Sequence, residues 1–241
     1  MTAAEFTVAI LVGGAGTRLR AVVRDRPKPL APVCGRPFLA YLLNQVAALR
    51  PRRIVLCTGY GAEQVRDAIG GSWQGIEVGY AREESPLGTG GALANARPVL
   101  GPGSVLAMNG DSYCDTSLDA FQSAHFDSRA ETTLLLVRML DVARYGAVSL
   151  DAGNRITAFH EKGARAAGWI NAGVYMISPA RLAEIPVGRA VSLEGEMFPL
   201  WIQSGLYGHP CEGRFIDIGI PEDFRRAQEF FDGQPDSPKP F

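Results

Sequence analysis

Histidine and cysteine are scarce in this chain of 241 residues, which has three of the first and four of the second. Cys34, Cys57, Cys114 and Cys211 stand far apart and form no CxxC pair. That distribution argues against a zinc site or a disulfide scaffold and favours a reducing, cytoplasmic setting. Charge imbalance is missing too: 24 basic residues face 25 acidic ones, so nothing marks a platform for nucleic acid. Long apolar runs are absent. The longest, such as Val8–Val12 and Leu134–Val137, fall well short of the ~20 residues of a membrane span. The N-terminal segment carries Glu5 and no basic lead-in, unlike a signal peptide. No internal repeat occurs, and no hexapeptide β-helix pattern follows the first half.

Glycine, by contrast, is in surplus. There are 28 glycines, 16 of them before Asp111, where an average chain carries about 7%. A surplus packed into one half implies backbone that must come close to something. Apolar runs alternate with amphipathic stretches: 6–11 then 38–49, 53–58 then 62–69, 77–80 then 89–97, and 104–108 then 117–126. Four strand–helix pairs read as right-handed βαβ units on a parallel sheet. Beyond residue 130 the pieces 132–138, 147–150, 156–160 and 171–177 are strand-like, with helices at 179–184, 194–204 and 221–231. The expected fold is therefore α/β and Rossmann-like, a mixed, mainly parallel sheet flanked by helices, with no β-helix domain. Residues 1–232 are expected to form one domain with halves meeting at about residue 130, and a frayed tail at 233–241.

The first strand runs into Val12-Gly13-Gly14-Ala15-Gly16-Thr17-Arg18-Leu19. A glycine-rich turn beyond the carboxyl end of a strand lets backbone N–H groups approach phosphate. Two familiar motifs fail here, since the dinucleotide fingerprint needs glycine at Leu19 and the P-loop needs Gly-Lys-Ser/Thr at Gly16-Thr17-Arg18. Alone, the glycines are compatible with a purely structural turn. Two cations follow: Arg18, and Lys28 in Pro27-Lys28-Pro29. A lysine between prolines is expected on a stiff, extended segment. An arginine fork plus a fixed ammonium suits a triphosphate.

The segment Leu11–Pro32 resembles the opening signature of the sugar-1-phosphate nucleotidyltransferases. The likeness continues through Pro86-Leu87-Gly88-Thr89-Gly90-Gly91-Ala92, Asn109-Gly110-Asp111, Tyr145-Gly146, Glu161-Lys162, Asn171-Ala172-Gly173 and Asp217-Ile218-Gly219. Within that family the chain is most similar to bacterial D-glycero-α-D-manno-heptose 1-phosphate guanylyltransferases, through the PLGTGGA loop and the Phe215–Asp223 ending. The resemblance implies transfer of GMP from GTP to a sugar 1-phosphate, with release of pyrophosphate and Mg²⁺ as cofactor, for surface polysaccharide synthesis. It implies a nucleotide-binding half over about 1–130 and a sugar-binding half over about 131–232, and it allows a homodimer, while the charge balance and short apolar runs leave no nucleic-acid or membrane partner expected.

By the same resemblance, Asp111 and Asp217 are joint metal ligands, and Arg18, Lys28, Asp111 and Lys162 are catalytic. Leu11, Gly13, Gly14, Gly16, Thr17, Glu83, Pro86, Gly88, Thr89, Asn109 and Gly110 surround the nucleotide. Gly146, Glu161, Lys162 and Asn171 meet the sugar phosphate. Adjacent side chains on a strand face opposite ways, so Glu161 and Lys162 reach one ligand only at a strand end or bend. Guanine presents N1–H and N2–H₂ as adjacent donors, which one carboxylate accepts together. Glu83 is therefore expected to read the base, with Gly88 leaving it room, whereas related thymidylyl and uridylyl enzymes carry glutamine there. His125 and His160 are read as structural, and Trp73, Trp169 and Trp201 as core or rim. The alternatives are mannose 1-phosphate as the acceptor, another nucleotide, an acidic-sugar or molybdenum-cofactor transferase, or a silent regulatory homologue. The last is disfavoured because all the catalytic cations and acids are present.

Overall fold

The computed structural model of the chain describes residues 6–163 and 166–232. The stretch expected to fray, from Gly233 on, lies outside the described residues. The first half comprises β1 (Phe6–Leu11), β2 (Pro32–Val33), β3 (Arg36–Pro37), α1 (Phe38–Ala47), β4 (Ile54–Thr58), α2 (Ala62–Ile69), β5 (Ser72–Trp73), β6 (Ile76–Arg82), α3 (Gly88–Leu100), β7 (Ser104–Asn109), β8 (Ser112–Asp115) and α4 (Leu118–Ser128). The second comprises β9 (Thr132–Met139), β10 (Val148–Leu150), β11 (Ile156–Phe159), β12 (Gly168–Ile177), α5 (Pro179–Glu184), α6 (Phe198–Ile202), β13 (Leu206–Cys211), β14 (Arg214–Asp217) and α7 (Pro221–Phe231).

β4 and β7 flank β1 in parallel, and β6 lies parallel beyond β4. β12 then joins β7 antiparallel, with Val174 opposite Met108, so one sheet runs through both halves. β9 pairs antiparallel with β12, and β13 lies parallel to β9 at the sheet's edge. The central strands are buried on both faces, which is why they read as unbroken apolar runs and not as alternation. Along β1, Val8 and Ile10 pack on one side among residues of α1 and α7 such as Phe38 and Phe231. Ala9 points to the other side, where Leu93 of α3 and Phe198 and Trp201 of α6 pack. The result is three layers, with helices on both faces of the sheet.

The helix expected over 194–204 differs in its first turn, which is a wide π turn over Leu193–Met197 before α6 begins. There Ser192 Oγ accepts from Gly195 N at 2.9 Å, and the carboxylate of Glu194 turns inward to take hydroxyls from Thr89 and Tyr175. An inward-facing acid on this turn is what the wider winding accommodates.

His125 and His160 have the structural surroundings expected of them. His160 Nε2 sits 2.7 Å from Ser149 Oγ. His125 on α4 is 2% exposed, with Nδ1 2.9 Å from Thr133 Oγ1. Burial lowers its pKa from 6.5 to about 4. Its unfolded form therefore binds more protons than its folded form between those values, so folding stability falls as pH drops through that window. The expected loss from pH 7 to pH 4 is about 3 kcal/mol, and His209, also lowered by burial, adds to the slope. Urea unfolding across that range tests this, with His125→Phe expected to show the flatter profile.

Candidate active site

Leu11, Cys57 and Asn109, at or near the carboxyl ends of β1, β4 and β7, open onto a cleft of about 1140 Å³. This is where strand order reverses: the chain leaves β1 for β4 on one side, and β7 flanks the other. The glycine loop Gly13–Thr17, with Arg18 at its end, forms one wall. Gly14, Ala15, Thr17 and Arg18 are exposed. Every residue expected to meet the nucleotide lines this cleft: Leu11, Gly13, Gly14, Gly16, Thr17, Glu83, Pro86, Gly88, Thr89, Asn109 and Gly110.

Lys28 opens a short 3₁₀ turn after extended Pro27 and does not ride the extended segment that its flanking prolines imply, because the Leu30 and Ala31 N–H groups close the turn on the Pro27 and Lys28 carbonyls. Its side chain is only 12% exposed, and Nζ donates to Asp111 Oδ2 at 2.5 Å. Asp111 stands between β7 and β8, and Asp217 ends β14. The two acids approach because β8 and β14 form an antiparallel ladder with Ser112 opposite Asp217. Ile218 N–H also donates to the Asp111 carbonyl at 2.9 Å. Burial and the Asp111 charge push the Asp217 carboxyl up, while Lys28 pulls it down.

Two hard carboxylates, one of which raises the other's proton affinity, are a donor set that a divalent cation relieves. Among the described residues no group of three or more acids, histidines or cysteines could hold a metal. The pair therefore fits a cation that completes its shell with phosphate oxygens and water, the usual habit of Mg²⁺.

Glu83 follows β6, and its backbone N–H donates to the Thr58 carbonyl at 2.8 Å. Its Oε2 accepts from Leu87 N at 3.1 Å. Oε1 lies against the glycine loops, 2.5 Å from where a side chain at Gly13 would begin. Burial raises the carboxyl's pKa. Gly88 has a reason beyond room for a base. Its φ is +70°, and an added Cβ would stand 2.6 Å from the Val191 carbonyl, the same oxygen that accepts N–H bonds from Gly90 and Gly91.

The sugar-side residues are arranged differently. Glu161 and Lys162 lie just past the end of β11, so the strand-end condition is met; both are exposed and stand outside the cleft lining. Gly146 sits beneath the His160 carbonyl, next to that pair. Asn171 lies at an irregularity of β12, where its Oδ1 accepts from Gly173 N at 2.8 Å.

Three features escape sequence reasoning. Tyr60 lines the cleft with Arg20 stacked on its ring at 4.4 Å; its signal was a second glycine turn, Gly59-Tyr60-Gly61, at the end of β4. Asp223, fully buried, takes Arg144 Nη1 at 3.1 Å and Arg226 Nη1 at 3.0 Å, and so ties the Tyr145-Gly146 segment to the start of α7. Glu194 bridges Thr89 Oγ1 at 2.7 Å and Tyr175 OH at 3.1 Å, and Tyr175 OH accepts from Asn171 Nδ2 at 3.0 Å. Asp223 closes the Phe215–Asp223 ending and Glu194 stands in no motif, but the partners of both are disclosed only by the fold.

Known proteins share this architecture and sequence. The nucleotidyl transferase family profile matches residues 7–233. D-glycero-alpha-D-manno-heptose 1-phosphate guanylyltransferase of Aneurinibacillus thermoaerophilus is 37% identical over 91% of the chain and 96% of its own length. Mannose-1-phosphate guanylyltransferase of Mycobacterium tuberculosis is 38% identical over 94% of the chain, which spans 65% of that enzyme. The structure of HddC from Yersinia pseudotuberculosis complexed with GMP-PN superposes with a TM-score of 0.83 at 33% identity, covering 95% of this chain and 100% of that one. With a cleft at the strand-order reversal, lined by a glycine loop, and a family match along almost its whole length, this chain belongs to the nucleotidyl transferase family.

Proposed function

We propose that the protein transfers GMP from GTP to D-glycero-α-D-manno-heptose 1-phosphate, giving GDP-heptose and pyrophosphate. The observation that carries the reaction class is the Lys28–Asp111 pair beside Asp217, set under the glycine loop. A phosphate oxygen of the sugar 1-phosphate attacks the α-phosphorus of GTP. The new P–O bond forms as the bond from that phosphorus to the bridging oxygen breaks, and pyrophosphate leaves. Both substrates are polyanions, so the protein's work is positioning and charge stabilisation. Lys28 moves from Asp111 to the α-phosphate as charge builds there, and Arg18 at the loop's end holds the departing pyrophosphate. Asp111 and Asp217 would hold Mg²⁺, whose chemistry there would be charge screening at the α-phosphate. Lys162 grips the sugar phosphate, while Glu161, Asn171 and the Gly146 backbone accept and orient the sugar.

Glu83 supports guanine as the base, and the heptose reading rests on the similarity to heptose 1-phosphate guanylyltransferases. Mannose 1-phosphate is the second reading, supported by the mycobacterial relative. The two sugars differ at the far end by one carbon and one hydroxyl. Pyrophosphate release measured for four nucleoside triphosphates against heptose, mannose and glucose 1-phosphates tests both choices. GTP with heptose 1-phosphate is expected to give the highest kcat/KM. A higher value with mannose 1-phosphate selects the second reading, and a preference for UTP or dTTP overturns guanylyl transfer.

A further inference from the structure

Cys114 and Cys211, 97 positions apart in sequence, meet with their sulfurs 3.7 Å apart. Cys114 is buried in the middle of β8, and Cys211 ends β13 partly open to solvent. Cys211 is the accessible member of the pair and Cys114 the buried one, and the contact with Cys114 lowers the Cys211 pKa. An accessible sulfur with a buried one behind it is the arrangement of an attacking and a resolving cysteine.

Location gives the pair its consequence. Cys114 lies three residues after Asp111 and opposite Phe215 in the β8–β14 ladder that ends on Asp217. Cys211 joins β14 through only Glu212 and Gly213. A disulfide holds its sulfurs about 2.05 Å apart, so closing this gap draws β8 and the entry to β14 towards β13. We propose that Cys114 and Cys211 form a reversible, peroxide-driven disulfide that displaces the strand ladder carrying Asp111 and Asp217 and so lowers turnover.

The chemistry balances in two steps. Cys211 sulfur attacks one oxygen of hydrogen peroxide; the S–O bond forms, the O–O bond breaks, and the departing hydroxide takes a proton to become water. Cys114 sulfur then attacks the sulfenic acid; the S–S bond forms, the S–O bond breaks, and hydroxide leaves with the Cys114 proton as a second water. Both sulfurs are oxidised, peroxide is reduced, and a dithiol reverses the change.

The test treats the full chain with hydrogen peroxide, alkylates without reduction, and maps the peptides by mass. A Cys114–Cys211 cross-linked peptide is expected, with turnover lower by on the order of tenfold, since misplacing reacting groups by about 1 Å costs up to ~10²-fold. Dithiothreitol should restore both. Cys211→Ser, outside the cleft, should keep basal turnover and lose both responses, whereas exposed Cys34→Ser should keep them. Cys114→Ser buries a hydroxyl, so Cys211→Ser carries the comparison. No 114–211 peptide under conditions that oxidise Cys34, or an inhibition that persists in Cys211→Ser, overturns the proposal. A cross-link with unchanged turnover overturns its link to the cleft. The mass readout stands apart from the guanylyl reaction, so failure of that reading and of this one are distinguishable.

Discussion

Lys28→Ala is expected to lower kcat by roughly 10³-fold with the fold intact, because one preorganised charge aimed at developing negative charge supplies about that much. Lys28 is mostly shielded, on a short 3₁₀ turn, and already bonded to an acid of the site. Its removal takes away the cation at the α-phosphate and also leaves Asp111 facing Asp217 without a counter-charge. Lys28 lowers the Asp217 carboxyl's proton affinity, so in the variant Asp217 should hold a proton more readily and the residual activity should fall off at a higher pH. Steady-state pyrophosphate release with a circular dichroism control makes the measurement. Turnover within about tenfold of the parent would remove Lys28 from the mechanism.

The second large effect belongs to Glu83→Gln, expected to reduce kcat/KM for GTP by about 10²-fold and to narrow its lead over UTP and dTTP. Glutamine keeps one carbonyl oxygen, which can still accept from Leu87 N–H and hold the loop. What changes is the other arm, now lying over Gly13 and Gly59. There the carboxylate offers an acceptor to guanine's paired donors, whereas the amide nitrogen presents hydrogens against hydrogens. Leaving such donors unpaired in a closed site costs more than losing a favourable contact. The decisive readout is the ratio of kcat/KM among the three nucleotides. An unchanged GTP preference sinks the assignment of Glu83 to the base.

The sequence disclosed most of the first half of the fold because β1, β4 and β7 are buried on both faces and separated by amphipathic helices. It disclosed less at the edges. β13 contains Gly208 and Pro210, which weaken any strand signal, and it survives as the outermost partner of β9, where a proline costs one unneeded donor. β8 and β14 are four residues each and show no alternation worth reading, yet they form the ladder that brings Asp111 to Asp217. The residues that line the cleft were legible because glycine and proline fix local backbone. Those that depend on long-range pairing, among them Asp223, Glu194 and the Cys114–Cys211 pair, were not.

The carboxylate of Glu194 takes hydroxyl protons from both Thr89, at the head of α3, and Tyr175, which in turn receives an amide proton from Asn171 on β12. Thr89 borders the nucleotide cleft and Asn171 lies on the strand assigned to the sugar. A rotation of either end changes how well the shared acid is satisfied at the other. On the proposed reading a nucleotide beside Thr89 and a sugar phosphate beside Asn171 would share this acid, and linkage would then require any factor by which one alters the other's affinity to be the same in both directions.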